Sequence, residues 1–413
     1  MIAFKALAIF ILTYILISAQ RIPRIKLDRP AGALLGAVLM ILSGVMTLEE
    51  AYQSIDFNTI TLLLGMMILI AYLRMAGFFR FLSYWLLVYA KNPLNLLISL
   101  VFLSGILSAL FVNDTICIMF TPLLLTATLD ARLNPVPFLI ALATSANIGS
   151  VMTLTGNPQN MLIGVFSGWP YGKFVLYMIP VGLVSLLINA LVVAWIFRKE
   201  IRREAFEGLN LAPPRISPRL LRKTLLVVAL VLAGFLAGFK LPLVALVGGI
   251  AIILLANKPA ALAFERVDGV LLLFFCGLFV VVEGLNKTGL VEILYEKVQP
   301  LFGTSAAWQM TLFSFFSVLL SNVVSNVPFV MLAKGWMNKF IDPELMWLAL
   351  AMSSTFAGNL TIVGSVANMI VLELSKNAAP IGFWDYFKVG FPVTLLSTLA
   401  GVLILILYSR YLF

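Results

Sequence analysis

The sequence predicts an all-α polytopic membrane protein, and three observations support this fold class. Of the 413 residues, 62% are hydrophobic and 11% are charged, whereas soluble domains are about half apolar and about a quarter charged. Apolar runs recur along the whole chain, and a membrane-spanning helix needs about 20 such residues. The second half of the chain also repeats landmarks of the first half at a fixed offset.

Composition argues against several kinds of chemistry. The chain has no histidine, so the commonest metal ligand and acid–base side chain is missing. Cys117 and Cys276 lie in apolar segments without CxxC spacing, which predicts neither a disulfide framework nor a metal site. There is no HExxH, GxSxG or P-loop pattern, so we expect no enzyme activity, no metal and no cofactor. We read the net charge of +10 as cytoplasmic loop charge and not as a nucleic-acid signal.

Apolar segments of spanning length account for most of the chain. Two longer apolar stretches, 94–129 and 305–333, carry polar residues at their centres, FVNDTICI and VVSNVPFV. A segment that enters the membrane and returns needs such a turn, so we predict two re-entrant hairpins. Residues 78–91 and 288–302 are predicted to lie along the interface. The predicted spans lie near 2–19, 31–47, 58–76, 136–164, 173–197, 224–240, 242–257, 269–286, 345–373 and 389–409.

Loop charges predict the orientation of these spans. Residues 20–30 carry four basic residues against one aspartate, and the linker 198–223 carries eight against three glutamates. Both are therefore predicted to be cytoplasmic. Residues 48–57 hold three acidic residues and are predicted to lie outside. Ten spans and two hairpins satisfy these constraints with both termini outside, on the periplasmic side of a plasma or inner membrane.

The linker 198–223 separates two predicted repeats, 1–197 and 224–413. An offset of 212 superimposes Gly65 on Gly277 and the hairpin tripeptide VND on VSN, and an offset of 208 aligns TGNPQNM with VGSVANM. Each repeat has five spans, an odd number, so the second copy must run inverted through the membrane. Inverted repeats with interrupted helices are typical of secondary transporters, whose substrate site lies at the repeat interface.

Two predicted spans contain polar, helix-breaking stretches, of which TSANIGSVMTLTGNPQNMLIG at 144–164 is the longer. Unpaired backbone groups in hydrocarbon cost several kcal/mol each, so irregular backbone there must be buried in protein or line a wet cavity. We predict breaks at 144–160 and 353–368. The hairpin tips, 112–115 and 324–327, are predicted to meet them.

Three stretches carry a resemblance to a known family: FVNDTICIMFTP, SANIGSVMTLTGNPQN and GNLTIVGSVANMIV. They resemble the ion-transporter superfamily, which includes arsenite permeases, divalent anion:sodium symporters and some sodium/proton antiporters. The ND tip and GNPQN look most like the ArsB-like arsenite permeases and their anion-permease relatives. The resemblance implies a homodimer with an elevator-type transport domain, and a soluble ATPase partner in some members. The second hairpin departs from an acidic pattern, because it reads VSNVP.

Asp114, at the tip of the first hairpin, is the strongest functional candidate. An intramembrane carboxylate is costly unless it is partnered or protonated, and it is functional by default. Desolvation favours the neutral form of a carboxyl group. We therefore predict that Asp114 carries the coupling proton or cation, with a structural cap of the hairpin turn as the alternative.

Polar side chains at the tips and breaks are predicted to bind substrate, although helix caps and turns use the same residue types. Gly156 and Gly364 are predicted to be backbone hinges. Ligation of substrate by Cys117 is a weaker alternative to apolar packing. The predicted substrate-binding residues are Asn113, Thr115, Asn147, Thr153, Thr155, Asn157, Ser325, Asn326, Asn359, Thr361 and Ser365.

The charge of the central segments bears on the substrate class. The segments 94–129, 138–167, 305–333 and 345–372 contain no lysine or arginine, so a bare dianion would need co-bound sodium and helix N-termini. A neutral polyhydroxyl solute such as arsenite, mostly As(OH)3 near neutral pH, needs only amides and hydroxyls. We therefore expect efflux of arsenite or antimonite by proton antiport. A sodium-coupled carboxylate, sulfate or other inorganic anion transporter and a sodium/proton antiporter are the alternatives.

Overall fold

The computed structural model describes residues 1–18, 28–201 and 213–411. Every regular element in these ranges is helical, and six of the described helices are long and apolar enough to cross a membrane. The predicted all-α polytopic membrane class is therefore confirmed. Residues 19–27 and 202–212, which belong largely to the two basic segments predicted to be cytoplasmic at 20–30 and 198–223, fall outside the described residues.

The helices follow the predicted order in both halves. The first half contains α1 (Ile2–Ser18), α2 (Arg29–Leu42), α3 (Leu48–Ser54), α4 (Phe57–Ala76), α5 (Phe78–Tyr89), α6 (Pro93–Leu110), α7 (Asn113–Asp130), α8 (Val136–Ser150), α9 (Pro158–Ser167), α10 (Tyr171–Ile196) and α11 (Arg198–Ile201). The second half contains α12 (Pro218–Leu236), α13 (Leu241–Ala256), α14 (Ala261–Phe264), α15 (Gly269–Asn286), α16 (Leu290–Val298), α17 (Ala306–Val324), α18 (Asn326–Ala333), α19 (Pro343–Ala357), α20 (Val366–Ser375) and α21 (Phe383–Tyr411). Short 3-10 helices occupy Gln299–Phe302, Lys334–Lys339 and Ile362–Gly364.

Helix caps explain why residue types recur at an offset of 212. Asp56 and Asp268 accept hydrogen bonds from the third backbone N–H of α4 and α15, at 2.6 and 2.9 Å, which satisfies donors that a helix N-terminus leaves free. Gly77 and Gly289 separate α4 from α5 and α15 from α16 with φ of 85° and 72°, where a side chain would be strained. Asp56, Gly77 and their counterparts thus mark the ends of equivalent helices.

Glycine contacts join the two halves crosswise. A Cβ at Gly65 on α4 would overlap the backbone of Ala245 on α13, and one at Gly277 on α15 would overlap the backbone of Ala33 on α2. Small residues allow this close approach of helices in a membrane, where apolar side chains gain little from leaving lipid. We call helices α1, α2, α4, α12, α13 and α15, which pack through these contacts, the scaffold group.

The remaining long helices form a second set, α6–α10 and α17–α21, which we call the core group. Within it α6 packs on α8 and α17 on α19, α7 packs on α20 and α18 on α9, and α10 packs on α21. Exchanging the halves converts α6–α8 into α17–α19 and α7–α20 into α18–α9, and leaves α10–α21 unchanged. Between the groups, α4 packs on α9 and α15 on α18, and these two contacts do not exchange with each other. The inverted orientation and the elevator movement remain predictions.

The two predicted hairpins are helix–turn–helix units whose tips share an unusual backbone conformation. Val112 between α6 and α7 and Ser325 between α17 and α18 have φ of 27° and 71°. An asparagine follows each of them and begins the second helix. The tips therefore correspond at an offset of 213, which pairs Asp114 with Val327. The predicted superposition of VND on VSN is wrong by one residue, because it was anchored on the valines and not on the turn.

Both predicted interruptions are present, but they are narrower than expected. Helix α8 continues to Ser150 and α19 to Ala357, so the polar residues before these points are helical. Irregular backbone is limited to 151–157 and, around a short 3-10 turn, to 358–365. Small hydroxyl residues at 144–150 bond to carbonyls within the helix and so do not break it.

We expect Gly65→Ala to destabilise the protein, because its Cβ would meet the backbone of α13. Overpacking of this kind costs about 1–3 kcal/mol. Gly249→Ala is the matched control in the same helix pair, since its Cβ would lie 3.5 Å from Ile68 in ordinary contact. Thermal unfolding in detergent should show a lower midpoint for Gly65→Ala alone, and equal midpoints would contradict the close packing.

Candidate functional site

The hairpin tips and helix breaks meet around a cavity of about 60 Å³, which we call the tip cavity. Its polar lining residues are Arg29, Asn113, Asp114, Gln159, Ser325, Asn326 and Ser365. Helices α7, α9, α18 and α20 all begin here, and helix N-termini carry partial positive charge and free N–H groups. The cavity has room for a few waters or one small solute.

A buried amide network connects this cavity to both halves of the chain. The side-chain amide of Asn147 donates to the Oδ1 atoms of Asn359 and Asn368, each at 2.9 Å. Its Oδ1 atom accepts from Asn113 Nδ2 and Ser365 Oγ, also at 2.9 Å. One residue of α8 therefore links a hairpin tip of its own half to the broken helix of the other half.

Backbone carbonyls fix the direction of this network. Asn368 Nδ2 donates to the carbonyls of Gly358 and Thr361, at 2.6 and 3.0 Å, so its Oδ1 must accept. Asn147 must then donate to it, which leaves Asn147 Oδ1 to accept from the Asn113 amide. In consequence Asn113 Oδ1, in a residue 6% exposed, has no donor among the described residues.

The tip of the second hairpin presents the same group. Asn326 is 9% exposed, and its Oδ1 atom also lacks a donor in the described part of the chain. Both asparagines line the tip cavity together with Asp114. The cavity therefore offers two amide oxygens and a carboxylate, and buried acceptors without donors are costly. A ligand that donates hydrogen bonds, or a hard cation, would satisfy them.

The breaks are closed by the same bonds in both halves. Asn160 Nδ2 donates to the carbonyls of Ser150 and Thr153, at 3.2 and 3.0 Å. These are the bonds that Asn368 makes, displaced by 208 residues. The bonds between the halves repeat as well. Thr355 Oγ1 lies 3.5 Å from Asn160 Oδ1, and this contact is equivalent to that of Asn147 with Asn368. Backbone groups freed by the breaks thus find partners inside the protein, as a membrane environment requires.

Gly156 and Gly364 lie within these breaks and are required for space. A Cβ at Gly156 would overlap the carbonyl oxygen of Ser150, and one at Gly364 would lie 3.1 Å from that of Gly358. Neither glycine has a left-handed φ. The structure therefore gives both positions a steric role, and a hinge role remains a prediction.

Arg29 brings a positive charge to the tip cavity that the sequence argument missed. It is the first residue of α2 in the scaffold group, is half-buried, and interacts electrostatically with Asp114. Its Nη2 atom also lies 3.3 Å from Met369 Sδ on α20. The central segments do lack lysine and arginine, but a neighbouring helix supplies one. The available signal was its position directly after Asp28, which caps an apolar helix.

Comparison with known proteins identifies the family. The family described as CitMHS, citrate transporter, matches residues 14–338. The chain belongs to this family. The CitMHS match agrees with the predicted superfamily, and it confirms a membrane transporter of small solutes that is not an enzyme.

Three relatives of this CitMHS transporter cover nearly its whole length. The silicon efflux transporter LSI3 of Oryza sativa subsp. japonica is 32% identical over 92% of this chain and 93% of its own. The putative transporter arsB of Dictyostelium discoideum is 26% identical over 97% and 92%. The crystal structure of the YdaH transporter of Alcanivorax borkumensis covers 99% and 98% with a TM-score of 0.58 at 15% identity, which shows a shared fold.

The structure divides the predicted site residues of this CitMHS transporter into three sets. Those at the tip cavity are Asn113, Asp114, Ser325, Asn326, Gly364 and Ser365. Those in the network behind it are Asn147, Asn157 and Asn359. The four threonines lie elsewhere. Thr115 is half-buried and follows Asp114, and Thr153 donates a hydrogen bond to the carbonyl of Ala109. The hydroxyl of Thr155 lies 3.2 Å from Tyr171 OH, and that of Thr361 donates to Asn322.

Two larger cavities lie at opposite ends of α4, which is about 30 Å long. One, of about 660 Å³, is lined by Glu50, Glu283 and Lys287 near the start of α4. The salt bridge from Lys287 to Glu50 lowers the pKa of that carboxyl. The other, of about 530 Å³, is lined by Arg74 and Arg266 among others. Neither of these cavities shares a lining residue with the tip cavity.

We expect Asn147→Asp to destabilise the protein at neutral pH. A carboxylate oxygen would replace the donor that faces Asn359 and Asn368, and each buried unsatisfied group costs about 1–3 kcal/mol. Asn134→Asp is the control, because exposed Asn134 uses only its oxygen, which accepts from Val136 N at 3.1 Å. Thermal unfolding should show the loss for Asn147→Asp alone, with partial recovery at low pH, where a protonated carboxyl donates one bond. An unchanged midpoint would contradict the assigned bond direction.

Proposed function

We propose that this transporter exports small neutral oxyacids of the arsenite and antimonite class in exchange for protons. The observation that carries the proposal is the set of acceptors at the tip cavity: the unpartnered Oδ1 atoms of Asn113 and Asn326 and the carboxylate of Asp114. A solute such as As(OH)3 brings several O–H donors and no charge. The names of two relatives, a silicon efflux transporter and arsB, support the same chemical class.

Competition for Asp114 would couple the solute to the proton. An ionised carboxylate only accepts hydrogen bonds, whereas a protonated one also donates. Solute hydroxyls therefore bind the ionised form, and protonation removes the acceptor that they need. Because proton and solute exclude each other at one carboxylate, moving one inward moves the other outward, which is the requirement for antiport.

An anion transporter is the second candidate, and Arg29 favours it. The helix N-termini and the guanidinium add positive charge to the cavity, and the family description names citrate. For an anion the coupling reverses, since protonation of Asp114 removes a repelling charge and favours anion binding. Co-bound sodium would serve the same purpose, and the oxygen ligands at the tips suit a hard cation. Sodium/proton exchange follows from the same ligands.

The movement that we infer is an elevator-type displacement of the core group against the scaffold group in a homodimer. Contacts within each group exchange between the halves, whereas the contacts of α4 with α9 and of α15 with α18 do not. Such asymmetry is expected if the core group occupies one of two related positions. Location in the cell membrane with both termini outside, and a soluble ATPase partner at the linker 198–223, remain predictions.

We expect Asp114→Asn to abolish solute accumulation driven by a pH gradient, because the amide takes up no proton. Asp130→Asn is the control, since this exposed carboxylate ends the same helix α7. Arsenite uptake into proteoliposomes, with imposed pH and sodium gradients in separate arms, measures both. Unaltered pH-driven accumulation by Asp114→Asn would exclude it as the proton carrier, and accumulation driven by sodium alone would favour the second candidate.

The pH dependence of binding separates a neutral solute from an anion. We expect arsenite to bind less tightly as the pH falls through the range in which Asp114 takes up its proton. Sulfate or citrate, as anionic probes, should bind more tightly over the same range. Calorimetric titration of purified protein at a series of pH values gives the sign. Tightening of arsenite binding on acidification would overturn the antiport scheme.

A further inference from the structure

We propose that Arg29 holds the unloaded carrier in place by pairing with ionised Asp114 across the two helix groups. The core group then moves freely only when a proton or a solute has satisfied Asp114. This inference rests on the proposed function, and it gives Arg29 the role of preventing uncoupled movement. Arg29 is thus a positioning residue for transport and belongs to the part of the protein that does not move with the substrate.

The placement of Arg29, on a scaffold helix but at the tip cavity, supports this role. Helix α2 packs on α1, α3 and α15, so its position is set by the scaffold group. Its first residue nevertheless reaches the tip cavity, interacts with Asp114 and contacts Met369 Sδ at 3.3 Å. Asp114 and Met369 belong to α7 and α20 of the core group. The guanidinium therefore contacts the moving group at the cavity where cargo is bound.

The cost of separating Arg29 from ionised Asp114 also supports this role. Arg29 and Asp114 make no direct salt bridge but share the tip cavity, and withdrawing ionised Asp114 from Arg29 removes the attraction between two half-buried charges, which is unfavourable where the dielectric constant is low. Protonation removes the carboxylate charge. Solute hydroxyls instead donate to the carboxylate and replace the electrostatic attraction of the guanidinium. Both forms of loading therefore lower the cost of moving, whereas the empty ionised carrier is retained.

Among the described residues, no other basic residue near Asp114 has the same placement. Asp268 also acts on it electrostatically, but this residue caps α15 and is acidic. Of the helices packed against α7, α6 and α8 carry no charged residue. Helix α5 carries Arg80, which lines the separate basic cavity, and α20 carries Glu373 in its last turn. Arg29 is thus the basic residue that shares the tip cavity with Asp114.

The test compares Arg29→Gln, Arg29→Lys and the control Arg222→Gln, which alters an exposed arginine of scaffold helix α12. Proteoliposomes report arsenite accumulation driven by a pH gradient, and arsenite flux down its own gradient. We expect Arg29→Gln to lower the pH-driven accumulation of arsenite about tenfold, which is within the usual range of coupling between two sites. The flux of arsenite down its own gradient should be unchanged or higher. Arg29→Lys and Arg222→Gln should resemble the unaltered protein. Unchanged accumulation, or equal loss of both fluxes, would overturn the inference.

A second measurement does not depend on the substrate. Spin labels at Leu226→Cys on α12 and Leu191→Cys on α10, both exposed, report the distance between the two groups, with Cys117→Ala and Cys276→Ser removing the native thiols. At high pH without solute we expect one narrow distance distribution, which Arg29→Gln broadens. Identical distributions would overturn the inference. If the unaltered protein shows no pH-driven accumulation, the proposed function fails, whereas this distance measurement still decides the role of Arg29.

Discussion

The structure depends on one constraint: backbone groups released by a helix break inside a membrane must find partners within the protein. Asn160 and Asn368 meet it in the same way, each donating to two carbonyls of its own break. Their remaining oxygens face Thr355 and Asn147, which belong to the opposite half. The asparagines that close each break therefore also join the two halves. The tip cavity lies where two further amide oxygens, those of Asn113 and Asn326, have no donor among the described residues.

The two hairpin tips at this cavity differ in chemistry. Both tips place an asparagine with a free oxygen at the cavity, but the following residue is Asp114 in one half and Val327 in the other. A symmetric frame therefore holds a single titratable group. In the proposed scheme one carboxyl binds either a proton or a solute, whereas two carboxylates at the same cavity would repel each other and titrate in two separate steps.

Local signals in the sequence predicted much of this arrangement. The glycines and prolines of the breaks and the polar hairpin centres are each tied to backbone geometry, so their positions can be read without tertiary contacts. Arg29 could not be predicted in the same way, because its role depends on which helix lies beside a hairpin tip. The width of the breaks was overestimated since serine and threonine can bond to carbonyls of their own helix, as Thr144 and Ser145 do.

The crosswise glycine contacts have a consequence for biogenesis. Helices α2 and α4 leave the ribosome long before α15 and α13, the partners whose backbones approach theirs. The surfaces of α2 and α4 that will pack on α15 and α13 must face lipid or a chaperone until these partners have been inserted. Neither half can reach its final packing alone, so assembly of the scaffold waits until α15, which ends at Asn286, has been translated, and a product truncated before that point would expose these surfaces to quality control.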